Sequence, residues 1–224
     1  MVLMGYLYFN PKTRAFGPTT RVALLGSWIN GPAVSDGMLN RLMERVNMRT
    51  GQAVVLAVRN RTWSEYIHVV QATSPLRLFV VKGSRRPLVG SGTGLALLAD
   101  LPDSDIRRLA LRHNAETGES ACLSSLIERV AVVRSQGWAA SYDGVTPGGG
   151  MISVLLPRFD NEERIVLGIA GLTSVLRDNE ADFVSIMLEE VAANCAPVRL
   201  VPLGEGPSPS EVGAPPAGAD QASA

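Results

Sequence analysis

Apolar positions recur along this 224-residue chain first at strand spacing, then at helical spacing, and the alternation of the two predicts an ordered set of elements. Short apolar runs at Tyr6 to Phe9 and Ala15 to Phe16 flank an Asn-Pro turn that carries Lys12 and Arg14, the pattern of a hairpin. Over Thr19 to Ile29, residues Val22, Leu25 and Ile29 share one helical face, and Asn30, Gly31 and Pro32 stop the run. Ser35 or Asp36 suits the N-cap of a second helix, which buries Leu39, Leu42, Met43 and Val46 and ends at Gly51. Strands are predicted at Ala53 to Arg59, Tyr66 to Gln71 and Leu76 to Val81. Gly94 to Leu101 is apolar on every side and reads as a buried helix, broken at Leu101-Pro102. Asp103 then caps a helix running to about His113. Ser125 and Glu128 have capping-box spacing, and Leu126, Val130 and Val133 form the stripe of a helix ending at Gly137. Strands at Ala139 to Asp143, Ile152 to Leu156 and Ile165 to Gly171 follow, with a closing helix at Asp178 to Asn194. From Pro202 onward Pro, Gly, Ala and Ser dominate without apolar periodicity. Such a segment buries too little to offset chain entropy, which predicts disorder. Helices on one mostly antiparallel sheet make the class α+β.

Composition narrows the function. The residues are 46% hydrophobic and 19% charged, the formal net charge is zero and the pI is near 6.7. No global basic field is available to hold nucleic acid, so DNA contact must be local, around Lys12, Arg14 and Arg21, and multiplied by oligomerisation. No apolar run approaches the ~20 residues of a membrane span and no signal-peptide pattern opens the chain, so a cytoplasmic protein with no membrane partner is expected. Cys122 and Cys195 lie far apart without a CxxC, which argues against a zinc site and predicts two buried thiols. His68 and His113 have no ligand partner at i+3 or i+4 and read as structural. Gly90 to Gly94 (GSGTG) has Leu95 where GxGxxG needs its third glycine, and no P-loop lysine follows. No GxSxG context is present. The expectation is a non-enzyme without metal or cofactor.

Ser74 to Ala99, SPLRLFVVKGSRRPLVGSGTGLALLA, resembles the IclR-type bacterial transcription regulators. Their effector-binding domain carries a strand SPxPLRL, a turn GSRxPL and a small-residue run entering a helix. Leu42 to Leu56 (LMERVNMRTGQAVVL) is similar to the first helix and strand of that domain. Ser135 to Trp138 (SQGW), the glycine loop Gly148 to Gly150 and Glu163 to Thr173 (ERIVLGIAGLT) match its later turn, loop and last strand. The resemblance spans roughly residues 5 to 195. Gly5 to Gly26 is similar to the wing hairpin of the family's DNA-binding domain and the start of its linker helix. The organisation implied is a wing remnant at 1–18, a linker helix at 19–33, an effector-binding domain at 34–197 with a GAF-like or PAS-like fold, and a disordered tail at 198–224.

In the family a helix-turn-helix lies before the wing; here only Met1 to Met4 precede it. Bases are read by a helix in the major groove, whereas wing cations contact phosphate. A late start codon, a truncated gene and a natural sensor without a reader are all compatible with that beginning.

The resemblance also implies a ligand site between the sheet and its loops. Gly92 and Thr93 match the small-residue turn whose backbone approaches the ligand. Ser141 falls where an acidic residue is common, Met151 where a cysteine is common, and Ala170 and Leu172 where serines are common. These four departures remove charge or polarity, which suits hydroxy- or keto-acids poorly, since a buried carboxylate needs fixed partners. Arg86 replaces an aliphatic residue of the GSRxPL turn, and a guanidinium holds a carboxylate bidentately. The expected effector is an apolar or aromatic carboxylic acid anchored by Arg86 against Met151, Ala170 and Leu172. The resulting expectation is a ligand-responsive regulator working as a homodimer or tetramer, and binding DNA if the missing N-terminal helices are supplied. The alternative is a stand-alone sensor that pairs with a full-length relative.

Overall fold

Side chains alternate between the two faces of a strand, so the order and register of the strands decide what each face buries. The computed structural model describes residues 7–10, 14–18, 37–118, 121–159 and 163–195. Six strands form one antiparallel sheet: β3 (Ala53–Asn60), β4 (Trp63–Val70), β5 (Arg85–Pro87), β6 (Trp138–Tyr142), β7 (Gly149–Leu155) and β8 (Ile165–Leu172), in spatial order β5-β4-β3-β8-β7-β6. The helices are α1 (Met38–Thr50), α2 (Gly92–Ala99), α3 (Asp103–Thr117), α4 (Leu123–Gln136), α5 (Thr173–Asp178) and α6 (Glu180–Asn194). The class is α+β.

One face of the sheet carries Val54, Leu56 and Val58 from β3, Ile152 and Val154 from β7, and Ile165, Leu167 and Ile169 from β8. They pack with Leu39, Leu42, Met43 and Val46 of α1 and with Phe183, Val184 and Met187 of α6. The other face is divided. Ala139 and Val166 lie under α2, α3 and α4, whereas Ala53, Val55, Ala57, Tyr66, Met151 and Ala170 form a separate cluster. Between β3 and β4 the register runs Val55 to Val69, Leu56 to His68 and then Ala57 to Tyr66, so Ile67 is an extra residue. This bulge turns Tyr66 and Ser64 toward the second face, where strict alternation would have put Glu65 and Ile67.

Several boundaries differ from the sequence-based expectation. Gly37, at φ 66°, occupies the N-cap of α1, and Ser35 and Asp36 lie outside the described residues. Gly51 closes α1 as predicted, at φ 68° with its N–H on Asn47 O. Leu76 to Val81 is not a strand; the third strand is the shorter β5, paired with Trp63, Ser64 and Glu65. Leu76 and Phe79 are exposed because no ladder holds that segment against the sheet.

Ser91 caps α2 by accepting from Gly94 N, and α2 is buried from Gly92 to Leu98 with Ala99 half-buried, starting two residues before the predicted Gly94 and ending short of Leu101. Pro102, not Asp103, is the cap of α3, which continues past His113 to Thr117. Asp103 instead accepts from Arg134 at 2.8 Å. Helix α4 starts at Leu123 behind Cys122, so Ser125 and Glu128 are helical and form no capping box, while Leu126, Val130 and Val133 are the buried stripe. Cys122 is exposed at that helix start, contrary to expectation, and Cys195 is buried. The closing helix begins at Glu180, and the short α5 precedes it directly off β8.

Separately, β1 (Leu7–Asn10) and β2 (Ala15–Pro18) pair as the predicted hairpin, with Phe9 opposite Phe16 at 5.1 Å between ring centroids. Arg14 is exposed in the turn at φ 52°. Lys12, Arg21 and the segments for which a linker helix (19–33) and a tail (from 198) were expected lie outside the described residues.

Candidate functional site

Small residues on the second face of the sheet leave room that the first face does not. A cavity of about 140 Å³ opens above Met151 and Ala170, bounded by Tyr66, by Arg86 of β5, by Ser91 and Gly92 at the start of α2, and by two loops. Leu78, Phe79 and Val80 come from the segment after β4; Val145 and Thr146 come from the loop between β6 and β7, and Gly149 from the first residue of β7. The second loop is tied down by Asp143, itself at φ 59°, whose Oδ1 accepts from Gly148 N at 2.7 Å and from Thr173 Oγ1 at 3.1 Å. Leu78 reaches across to it: a Cβ at Gly149 would stand 3.0 Å from Leu78 Cδ1.

Each candidate residue has a definite place. Arg86 lines the cavity with its guanidinium 5.7 Å from the centroid of the Tyr66 ring, and its Nη1 donates to Arg85 O at 3.3 Å. Among the described residues no carboxylate pairs with it. Gly92 brings the main chain against β7, since a Cβ there would sit 2.8 Å from Met151 O. Met151 covers Gly168, whose Cβ position lies 2.7 Å from its Sδ. Thr93 is fully buried and accepts from Ser64 Oγ at 2.9 Å, behind the cavity wall rather than on it. Ser141 lines the cavity but donates to Gly90 O at 2.9 Å, and Ser91 donates to Pro87 O at 2.7 Å. Ala170 forms part of the floor, whereas Leu172 does not line the cavity.

The sequence reading placed the site between the sheet and its loops but missed Tyr66 and the loop residues Leu78, Phe79, Val80, Val145 and Thr146. Tyr66 is turned inward only by the bulge at Ile67, and no local pattern announces a bulge. Burial pushes its phenol up, opposed by the charge of Arg86 and by hydrogen bonding with Thr93 and Arg86. The cavity therefore offers one cation without a carboxylate partner, one neutral phenol, the hydroxyls of Ser91, Ser141 and Thr146, and apolar side chains over the rest of its wall. Among the described residues no group of three or more His, Cys, Asp or Glu could hold a metal ion, and no helix is long and apolar enough to cross a membrane.

Residues 37–196 match the family model described as bacterial transcriptional regulator IclR C-terminal. The HTH-type transcriptional regulator BhcR of Paracoccus denitrificans is 29% identical over 147 residues, covering 64% of this chain and 50% of that protein. The chain thus spans about half the length of this curated relative. The effector domain of the transcriptional regulator IclR from Acinetobacter sp. ADP1 superposes with a TM-score of 0.67 at 26% identity, over 72% of this chain and 95% of that one. An IclR-family regulator from Brucella abortus gives 0.71 at 21% identity, over 88% and 76% of the two chains, and supports the fold.

Proposed function

The chain belongs to the IclR family of bacterial transcriptional regulators, and from that premise we propose that residues 34–197 bind a small apolar or aromatic carboxylic acid. The observation that carries this reading is Arg86, a cation without a carboxylate partner on the wall of a cavity it shares with Leu78, Val80, Val145, Met151 and Ala170. A bidentate carboxylate supplies the missing charge, and Tyr66 adds a hydrogen-bonding group beside it. Ser91 and Ser141, which could have recognised a hydroxy- or keto-acid, spend their donors on main-chain carbonyls. The volume is close to the roughly 150 Å³ of an apolar cavity that takes benzene, so one ring fits.

Benzoate is therefore expected to bind and lactate not, in calorimetric titration of the full chain. Arg86→Ala should weaken benzoate roughly tenfold or more, the share of a charge-assisted hydrogen bond. Unchanged affinity in that variant, or no response to benzoate and phenylacetate alike, sinks the ligand assignment.

Ligand binding would act on DNA by favouring one arrangement of subunits in a homodimer or tetramer, which requires different affinities for the competing arrangements. Arg14, exposed in the hairpin turn, with Lys12 and Arg21, is assigned to phosphate contact. Anisotropy titrations of the DNA upstream of the gene, with and without benzoate, test this. Lack of sequence-specific affinity would favour the stand-alone sensor.

A further inference from the structure

Gln71 follows β4 directly, and its side chain does the work of a neighbouring strand. Nε2 donates to Val80 O at 2.6 Å, and Val80 N donates to Oε1 at 3.3 Å. A carboxamide carries the same donor and acceptor as a peptide unit, so one side chain replaces a rung of the ladder. Val80 is a buried part of the cavity wall, and Leu78 and Phe79, just before it, also line the cavity. The segment is otherwise fastened at its ends. Ser74 bonds to Gly51 O, and Gly83 and Ser84 pair with the main chain of Tyr66. Between them, among the described residues, Arg77 bonds only back to Ser74 O. The main-chain oxygen of Gln71 accepts from Asn47 Nδ2 at 2.9 Å, and the same amide donates to Gln52 O at 2.7 Å, so a buried side chain of α1 holds the residue that holds the wall.

We propose that Gln71 is a positioning residue of the effector site: its carboxamide latches residues 76–80 over the cavity and so sets how fast a ligand enters and leaves, with Asn47 joining the latch to α1. This rests on reading the cavity as the effector site. When both bonds to Val80 hold, Leu78 lies over Gly149 and bridges the two loops. When they break, the segment has no ladder to return to and moves away from β7 as a unit. Local opening of this kind is expected where few main-chain bonds secure a loop, and such steps set exchange rates at many closed sites.

Hydrogen exchange of the full chain without ligand tests the latch in wild type, Gln71→Ala and Gln71→Glu. The amide of Val80, which donates to Gln71, should exchange roughly tenfold or more faster in Gln71→Ala, where that acceptor is lost. Amides of β7 and α6 should not change. Gln71→Glu, which keeps the acceptor for Val80 N and loses the donor, should fall between. Unchanged exchange at Val80, or faster exchange spread evenly over the whole chain, overturns the proposal. Stopped-flow mixing with benzoate adds a second reading: Gln71→Ala should raise association and dissociation rates together, by more than it changes Kd. Rates that stay the same while benzoate binds also overturn it. If benzoate binds none of the three proteins, the ligand assignment fails, and hydrogen exchange alone decides the latch.

Discussion

The two faces of the sheet are built from the same strands and differ in the size of what they present. On β8, Ile165, Leu167 and Ile169 point toward α1 and α6, while Val166, Gly168 and Ala170 point the other way. On β3, Val54, Leu56 and Val58 oppose Ala53, Val55 and Ala57. Large residues fill the first face against two helices and leave it closed. Small residues on the second face, covered by loops at one end, leave the cavity. The difference shows that a site in this fold begins as an alternation of volume superimposed on the alternation of hydrophobicity.

The sharpest way to break this comparison is to exchange volume between the faces. Leu167→Ala, on the closed face, should cost about 2–5 kcal/mol in urea denaturation, because its transfer energy is lost and a void remains. Ala170→Leu, on the cavity floor, should change stability by less than about 1.5 kcal/mol, since the added atoms enter existing space, and it should abolish benzoate binding. Equal destabilisation by the two would mean that the second face is as tightly filled as the first.

A smaller effect separates the faces by pH. The phenol of Tyr66 is pushed above its ordinary 10.0 by burial. Above that value the unfolded chain gives up the proton first, so the native state holds more protons and stability falls as pH rises; below it this group contributes no slope. Tyr142 is pushed up as well, by burial and by its hydrogen bond to Glu180. Urea midpoints taken from about pH 9 to about pH 11 should therefore drop, and drop less in Tyr66→Phe. An identical drop in that variant would remove Tyr66 from the buried wall.

The smallest effect concerns the thiols and leaves the fold untouched. Ser124 and the Ser125 N–H hold the exposed Cys122 below the usual thiol range, whereas burial pushes Cys195 up. A disulfide reagent should label Cys122 rapidly in the native protein and Cys195 only after unfolding. Rapid labelling of both would place the end of α6 outside the closed core.

Local periodicity made much of this molecule legible. The stripes of α1 and α4, the glycines that end them, the all-round burial of α2 and the three strands β6, β7 and β8 are short-range patterns, and each appears in the structure within a few residues of its predicted place. Helix starts were less legible because Gly37, Pro102 and Cys122 cap without a side-chain hydrogen bond, so no Ser or Asp marks them. Arg86, Gly92, Ser141, Met151 and Ala170 come together at the cavity, while Thr93 and Leu172 fall outside its lining.

By itself, then, the sequence determined the class of fold, the contrast of volume on β3 and β8 and the one cation of the cavity, because these depend on residue type at fixed spacing. Tertiary structure alone decided that Tyr66 faces inward, that Leu76 to Val81 becomes a wall instead of a strand, and that Gln71 holds it. Those outcomes turn on one inserted residue and on hydrogen bonds between a side chain and a main chain nine residues away, which no periodicity encodes.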